Sequence, residues 1–87
     1  MTFSSQTTPE FWELYRALPQ EIRQLARKNY RLWAQDPFYP SLRFKTVGSD
    51  QWSVRIGADY RAVGMFVGDC FVWGWIGSHQ DYDQKLS

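Results

Sequence analysis

The chain holds one cysteine, Cys70, and one histidine, His79, among its 87 residues. A single thiol excludes an internal disulfide, and without a Cys/His cluster there is no zinc-site spacing. Charge of one sign is missing too: ten Lys plus Arg stand against nine Asp plus Glu, a formal net charge of +1. A chain so close to neutral attracts nucleic acid only through local placement of its cations. No run approaches the roughly 18 apolar residues of a membrane span, and "MTFSSQTTPEF" has neither the basic nor the apolar stretch of a signal peptide. These absences lead us to expect a cytoplasmic protein with no membrane, metal or cofactor. Repeats, linkers and low-complexity segments are also absent, and the length suits one domain over 1–87.

Aromatic rings are plentiful: five Trp, five Tyr and six Phe. Each can bury about 150–250 Å², enough apolar surface for a small but stable core. In the first third they follow a helical period. Phe11, Leu14, Tyr15 and Leu18 recur at i, i+3, i+4, i+7, with Pro9 in the first turn and Thr7–Glu10 as a capping box, which predicts a helix near 8–18. Beyond Pro19, Ile22, Leu25, Ala26, Asn29 and Trp33 form a second stripe, ended by Asp36-Pro37. The two helices make a hairpin whose apolar stripes need a sheet to lie on.

From Ser41 the period falls to 2. "SLRFKTVG" sets Leu42 and Phe44 against Arg43 and Lys45, and "QWSVRIG" sets Trp52, Val54 and Ile56 against Ser53 and Arg55. "YRAVGMFVG" and "CFVWGWIG" are apolar on both faces and therefore central. Turns at Gly48-Ser49-Asp50, Gly57-Ala58-Asp59 and Gly68-Asp69 make a meander. The expectation is an α+β fold, an N-terminal helical hairpin packed on a sheet of three to four antiparallel strands. Ser78 and Asp81 would cap a short final helix, "HQDYDQKL". Leu25, Trp33, Phe44, Val54, Val63 and Ile76 are the expected core, and Trp73 and Trp75 are expected on one strand face with Phe71.

Cations on strands raise the functional question, because a guanidinium among apolar neighbours needs a carboxylate or phosphate partner. A two-residue turn after Gly57 would send Arg55 and Arg61 to opposite faces; a three-residue loop would put them side by side. The spacing alone leaves this open. If the face is shared, Arg43 and Lys45 could join it to form a phosphate-binding patch, against the plainer alternative of a solvated face with Arg61 paired to Asp59 or Asp69. His79 and Tyr82, three apart, share one side of the final helix.

The segments "FWELYRALPQEIRQLARKNYRLWAQDP", "PSLRFKTVG", "WSVRIGADYRAVG" and "WGWIGSHQDYD", in this order, resemble the RelE/ParE superfamily of toxins from bacterial type II toxin–antitoxin systems. The resemblance implies a helical hairpin on an antiparallel sheet and a cognate antitoxin partner. It also implies a first strand, which only "MTFSS" could supply. RelE-like members are metal-independent mRNA endoribonucleases acting on the ribosome; ParE-like members inhibit gyrase and lack the nuclease residues. For a nuclease, the resemblance implies that Arg55 and Arg61 hold the scissile phosphate with help from Lys45. His79 would then move protons, and Tyr82 would stack on or position the substrate.

Overall fold

The computed structural model describes residues 4–86. Elements run β1 (Ser4–Thr7), α1 (Pro9–Arg16), α2 (Gln20–Gln35), a 3-10 turn (Pro40–Leu42), β2 (Lys45–Val47), β3 (Gln51–Ile56), β4 (Tyr60–Val67), β5 (Cys70–Ser78) and α3 (His79–Leu86). The sheet has five strands in the order β1-β5-β4-β3-β2. The meander is as expected, but a fifth strand, β1, lies parallel to β5 with Ser4 opposite Cys70 and Thr7 opposite Trp73. "SSQT" has no apolar alternation to announce it. Backbone pairing holds it, with Ser5 Oγ and Tyr30 Oη 2.7 Å apart and Trp12 Nε1 donating to Thr7 Oγ1 at 2.6 Å. Met1–Phe3 of the suggested first strand lie outside the described residues.

Thr8, not Thr7, caps α1: its Oγ1 accepts from Phe11 N at 3.1 Å, while Thr7 belongs to the strand. The chain then turns at Leu18-Pro19, where Arg23 donates to the carbonyls of Arg16 and Leu18 at 3.2 and 3.0 Å, satisfying acceptors that the end of α1 leaves open. Both helices lie on one sheet face. Phe11, Tyr15, Trp33, Phe44, Val54 and Ile76 are buried there around Phe71, which is fully enclosed. Leu14, expected in that stripe, is 36% exposed, and Leu25 is half-buried at the core margin.

Two features of the strands differ from the alternation pattern. Val63 pairs with Trp75 and Gly64 with Trp73, so Gly74 is an extra residue in β5. The bulge turns Trp75 away from the face carrying Phe71 and Trp73. The expectation that the two tryptophans share a face is therefore corrected. Likewise β2 begins only at Lys45, and Arg43 precedes it in the left-handed conformation at φ 49°. The apparent strand through Leu42 and Arg43 is a 3-10 turn and its exit, so Arg43 does not alternate with Lys45 along a strand.

Candidate functional site

The hairpin at Gly57 settles the arginine question. Ile56 pairs with Tyr60 and Arg55 with Arg61, leaving a three-residue loop, Gly57-Ala58-Asp59. Gly57 takes φ 63°, a conformation glycine adopts without Cβ strain, and it lies so close to Leu25 that a Cβ would come within 2.9 Å of that side chain. Arg55 and Arg61 therefore stand directly opposite each other on the face away from the helical hairpin. Lys45, opposite Ser53, lies on the same face one strand over and two residues along from Arg55, and is exposed.

The two guanidinium groups are held differently. Arg55 donates from Nε to the Gly57 carbonyl at 3.0 Å and remains half-exposed. Arg61 donates from Nε to His79 Nδ1 at 3.2 Å, and its guanidinium carbon lies 5.2 Å from the Tyr82 ring centroid, a cation–π contact. One Arg61 terminal nitrogen is shielded with no hydrogen-bond partner among the described residues. No carboxylate among those residues lies within ion-pair distance of Arg55 or Arg61, so the expected pairing of Arg61 with Asp59 or Asp69 is not formed.

α3 delivers the other two groups. Ser78 Oγ accepts from Asp81 N at 3.1 Å, as its spacing predicted, and His79 N donates to the Asp59 carbonyl at 2.6 Å, tying the helix start to the arginine hairpin. His79 and Tyr82 stack with centroids 6.0 Å apart. With Nδ1 accepting from Arg61, the imidazole proton is assigned to Nε2, which lies 3.5 Å from Asp83 Oδ2. Tyr82 is only 6% exposed, packed over Trp75 at 6.3 Å. Its ring is filled by protein neighbours, so positioning Arg61 fits this geometry and stacking on a substrate does not.

Arg55, Arg61, His79 and Tyr82 are thus brought together, with Lys45 two rows along; Arg43 lies outside the row, exposed before β2. Trp75 belongs to the cluster although sequence reasoning placed it on the core face. The signal was Gly74 between two tryptophans, since an isolated glycine inside a strand marks a bulge. The arrangement is a basic strip with an imidazole at one end, able to take a phosphate and to move a proton beside it. Among the described residues no group of His, Cys, Asp and Glu is arranged to hold a metal, and no helix is long and apolar enough to cross a membrane.

Comparison with known proteins agrees with this architecture. The "YoeB/ParE toxin from Agrobacterium tumefaciens" superposes with a TM-score of 0.70 at 18% identity, covering 87% of this chain and 98% of that one. A mutant of E. coli toxin RelE in the free state gives 0.72 at 14% identity, covering 99% and 94%. The toxin of the RelB–RelE antitoxin–toxin complex from Methanococcus jannaschii gives 0.70 at 14% identity, covering 94% and 99%. No curated protein matches in sequence. The family profile described as a ParE-like toxin domain matches residues 20–84, from the start of α2 through most of α3. The chain therefore belongs to the ParE-like toxin domain family, within the RelE/ParE superfamily of toxins.

Proposed function

We propose that the chain is the toxin of a type II toxin–antitoxin pair and that it cleaves mRNA on the ribosome at the Lys45–Arg55–Arg61–His79 strip. The observation that carries this reading is the direct cross-strand pair of Arg55 and Arg61, with no carboxylate of the described residues within ion-pair distance of either. Like charges placed opposite each other on a sheet cost about 0.2–1 kcal/mol, a cost that a bound phosphate would reverse. Arg55 and Lys45 then meet the nonbridging oxygens, whose charge grows as the 2′-oxygen attacks phosphorus and the 5′-oxygen leaves. His79 exchanges the proton, and Tyr82, through its ring under Arg61, keeps that guanidinium in place. The products are a 2′,3′-cyclic phosphate and a 5′-hydroxyl.

The test is cleavage of mRNA on programmed ribosomes by the purified chain. Arg55→Ala should lower kcat far more than it raises KM, because the contact strengthens in the transition state. His79→Gln should act similarly, and Tyr82→Phe should retain most activity. Absence of cleavage, or cleavage indifferent to both Arg55→Ala and His79→Gln, sinks the reading.

One observation favours a second reading. Arg61 is tied to His79 and Tyr82 and partly shielded, which suits a structural support for α3 as well as a catalyst. Under it, the chain is a non-nuclease member that acts by binding, on gyrase or on an antitoxin alone. Induced expression would then stop DNA synthesis, or nothing, while protein synthesis continues. Under either reading the antitoxin partner is supported by likeness to a toxin solved with its antitoxin, and co-purification from the native host checks it.

A further inference from the structure

We propose that single-stranded RNA leaving the arginine strip continues around the β2 edge of the sheet, where the Phe38 ring stacks on a base and Arg43 meets the phosphate beside it. The proposal rests on the nuclease reading above and names the part of the substrate that flanks the cleaved bond. β2 is the outer strand on this side and has only three residues, with Lys45 on the strip face. Arg43 precedes Lys45 by two residues, at most about 7 Å of chain, so the two cations can meet neighbouring phosphates of one strand. On the helix side of the same edge, Phe44 and Trp52 stack with ring centroids 4.5 Å apart, and Phe38 packs against both at 5.5 and 6.4 Å.

Two independent observations point to a ligand here. Phe38 is 62% exposed, more than any other aromatic ring of the described residues. Phe44 and Trp52 meet it at interplanar angles of 56° and 68°, so neither of them stacks on its face. Its backbone is tied as well, since Phe38 N donates to Asp36 Oδ1 at 3.1 Å. A ring held at its edge in this way offers a π surface to a base, and such stacking tolerates any sequence. The second observation is Arg43, the one non-glycine of the described residues with a positive φ, 49°. An L-residue is crowded there by the following carbonyl, and strain of this kind collects at ligand sites. Its exposed guanidinium makes no hydrogen bond or ion pair among the described residues, so nothing within them accounts for an arginine where glycine would fit. Lys45 is likewise exposed and unpaired among those residues. An exposed ring beside two such cations matches the alternating bases and phosphates of a single strand, and the cations select a polyanion over an apolar partner.

The probe is a labelled pentamer of 2′-O-methyladenosine, whose blocked 2′-oxygen cannot attack phosphorus, so binding is read without cleavage. Fluorescence anisotropy at low salt should show saturable binding, about tenfold tighter than that of a pentamer with the same backbone and no bases. Phe38→Ala should bring the two pentamers to one affinity, and Phe38→Trp should keep the preference. Arg43→Gly should weaken both pentamers alike and lower the slope of log affinity against log salt by about 0.7, one phosphate contact on a single strand. That variant should melt no lower than the unaltered chain, because glycine adopts the same φ freely. No saturable binding, equal affinity for the two pentamers, a preference indifferent to Phe38→Ala, or an unchanged salt slope in Arg43→Gly would overturn the proposal. Sedimentation showing a dimer that Phe38→Ala dissociates would overturn it as well, by assigning the ring to a second copy of the chain. Pentamer binding as expected with no mRNA cleavage on ribosomes would sink the nuclease reading alone; cleavage with pentamer binding indifferent to Phe38→Ala would sink this proposal alone.

Discussion

The two faces of the sheet are built on opposite principles. Beneath the helices, Trp33 meets Phe44, Phe71 and Trp73 with ring centroids 5.9, 5.4 and 5.1 Å apart, a close-packed aromatic centre at Phe71. On the other side, three cations share a face with Ser53, Val63 and Trp75, and the short α3 lies against β4 and β5 with Tyr82 beside Trp75. Burial stabilises the first face; the second brings like charges together, which opposes folding slightly. A surface that lowers stability where a neutral one would serve is the place to look for function.

Substitutions can break this contrast, and the largest effect belongs to the helix side. Trp33→Ala should cost roughly 3–5 kcal/mol, read as a fall in the urea midpoint, because a ring 1% exposed leaves a large cavity. Gly64→Ala comes next. Its Cβ would stand 2.5 Å from both Phe71 Cε2 and the Val72 carbonyl oxygen, and backbone cannot yield as a side chain can. About 1–3 kcal/mol should be lost by the same measurement. Leu25→Ala should cost only about 1–2 kcal/mol, below the 2–5 of an enclosed leucine, since Leu25 sits at the core margin. A loss equal to that of Trp33→Ala would mean that the hairpin packs more deeply than the structure indicates.

The smallest stability change sharpens the comparison most. Arg55→Ala should leave the unfolding free energy within about 0.5 kcal/mol of the parent, or raise it slightly, because it removes a like-charge pair and no ion pair. Combined with loss of cleavage, that outcome makes Arg55 functional; a marked destabilisation would make it structural and favour the binding-only reading.

Much of this could be read along the chain. The helical period of Phe11, Tyr15 and Leu18, the alternation of Trp52, Val54 and Ile56, and the glycine turns each state a local preference that the tertiary structure obeys, because periodic apolar residues must bury one side. The Ser78 cap is equally local. The ordered segments also carried the family resemblance, and with it the expectation of a first strand that "SSQT" does not advertise.

Facing was decided elsewhere. In a strand a one-residue change sends every later side chain to the opposite face, so the placement of Arg55 beside Arg61 depended on whether the loop has two residues or three. The Gly74 bulge likewise moved Trp75 from the core to Tyr82, and the left-handed Arg43 took that cation out of the row. The amino-acid sequence by itself determined the elements, their order and the residues available for chemistry. Tertiary structure alone decided which of them meet, because cross-strand register is set by packing between strands distant in sequence; Gly74 marks where a bulge can form but not which face each neighbouring ring ends on.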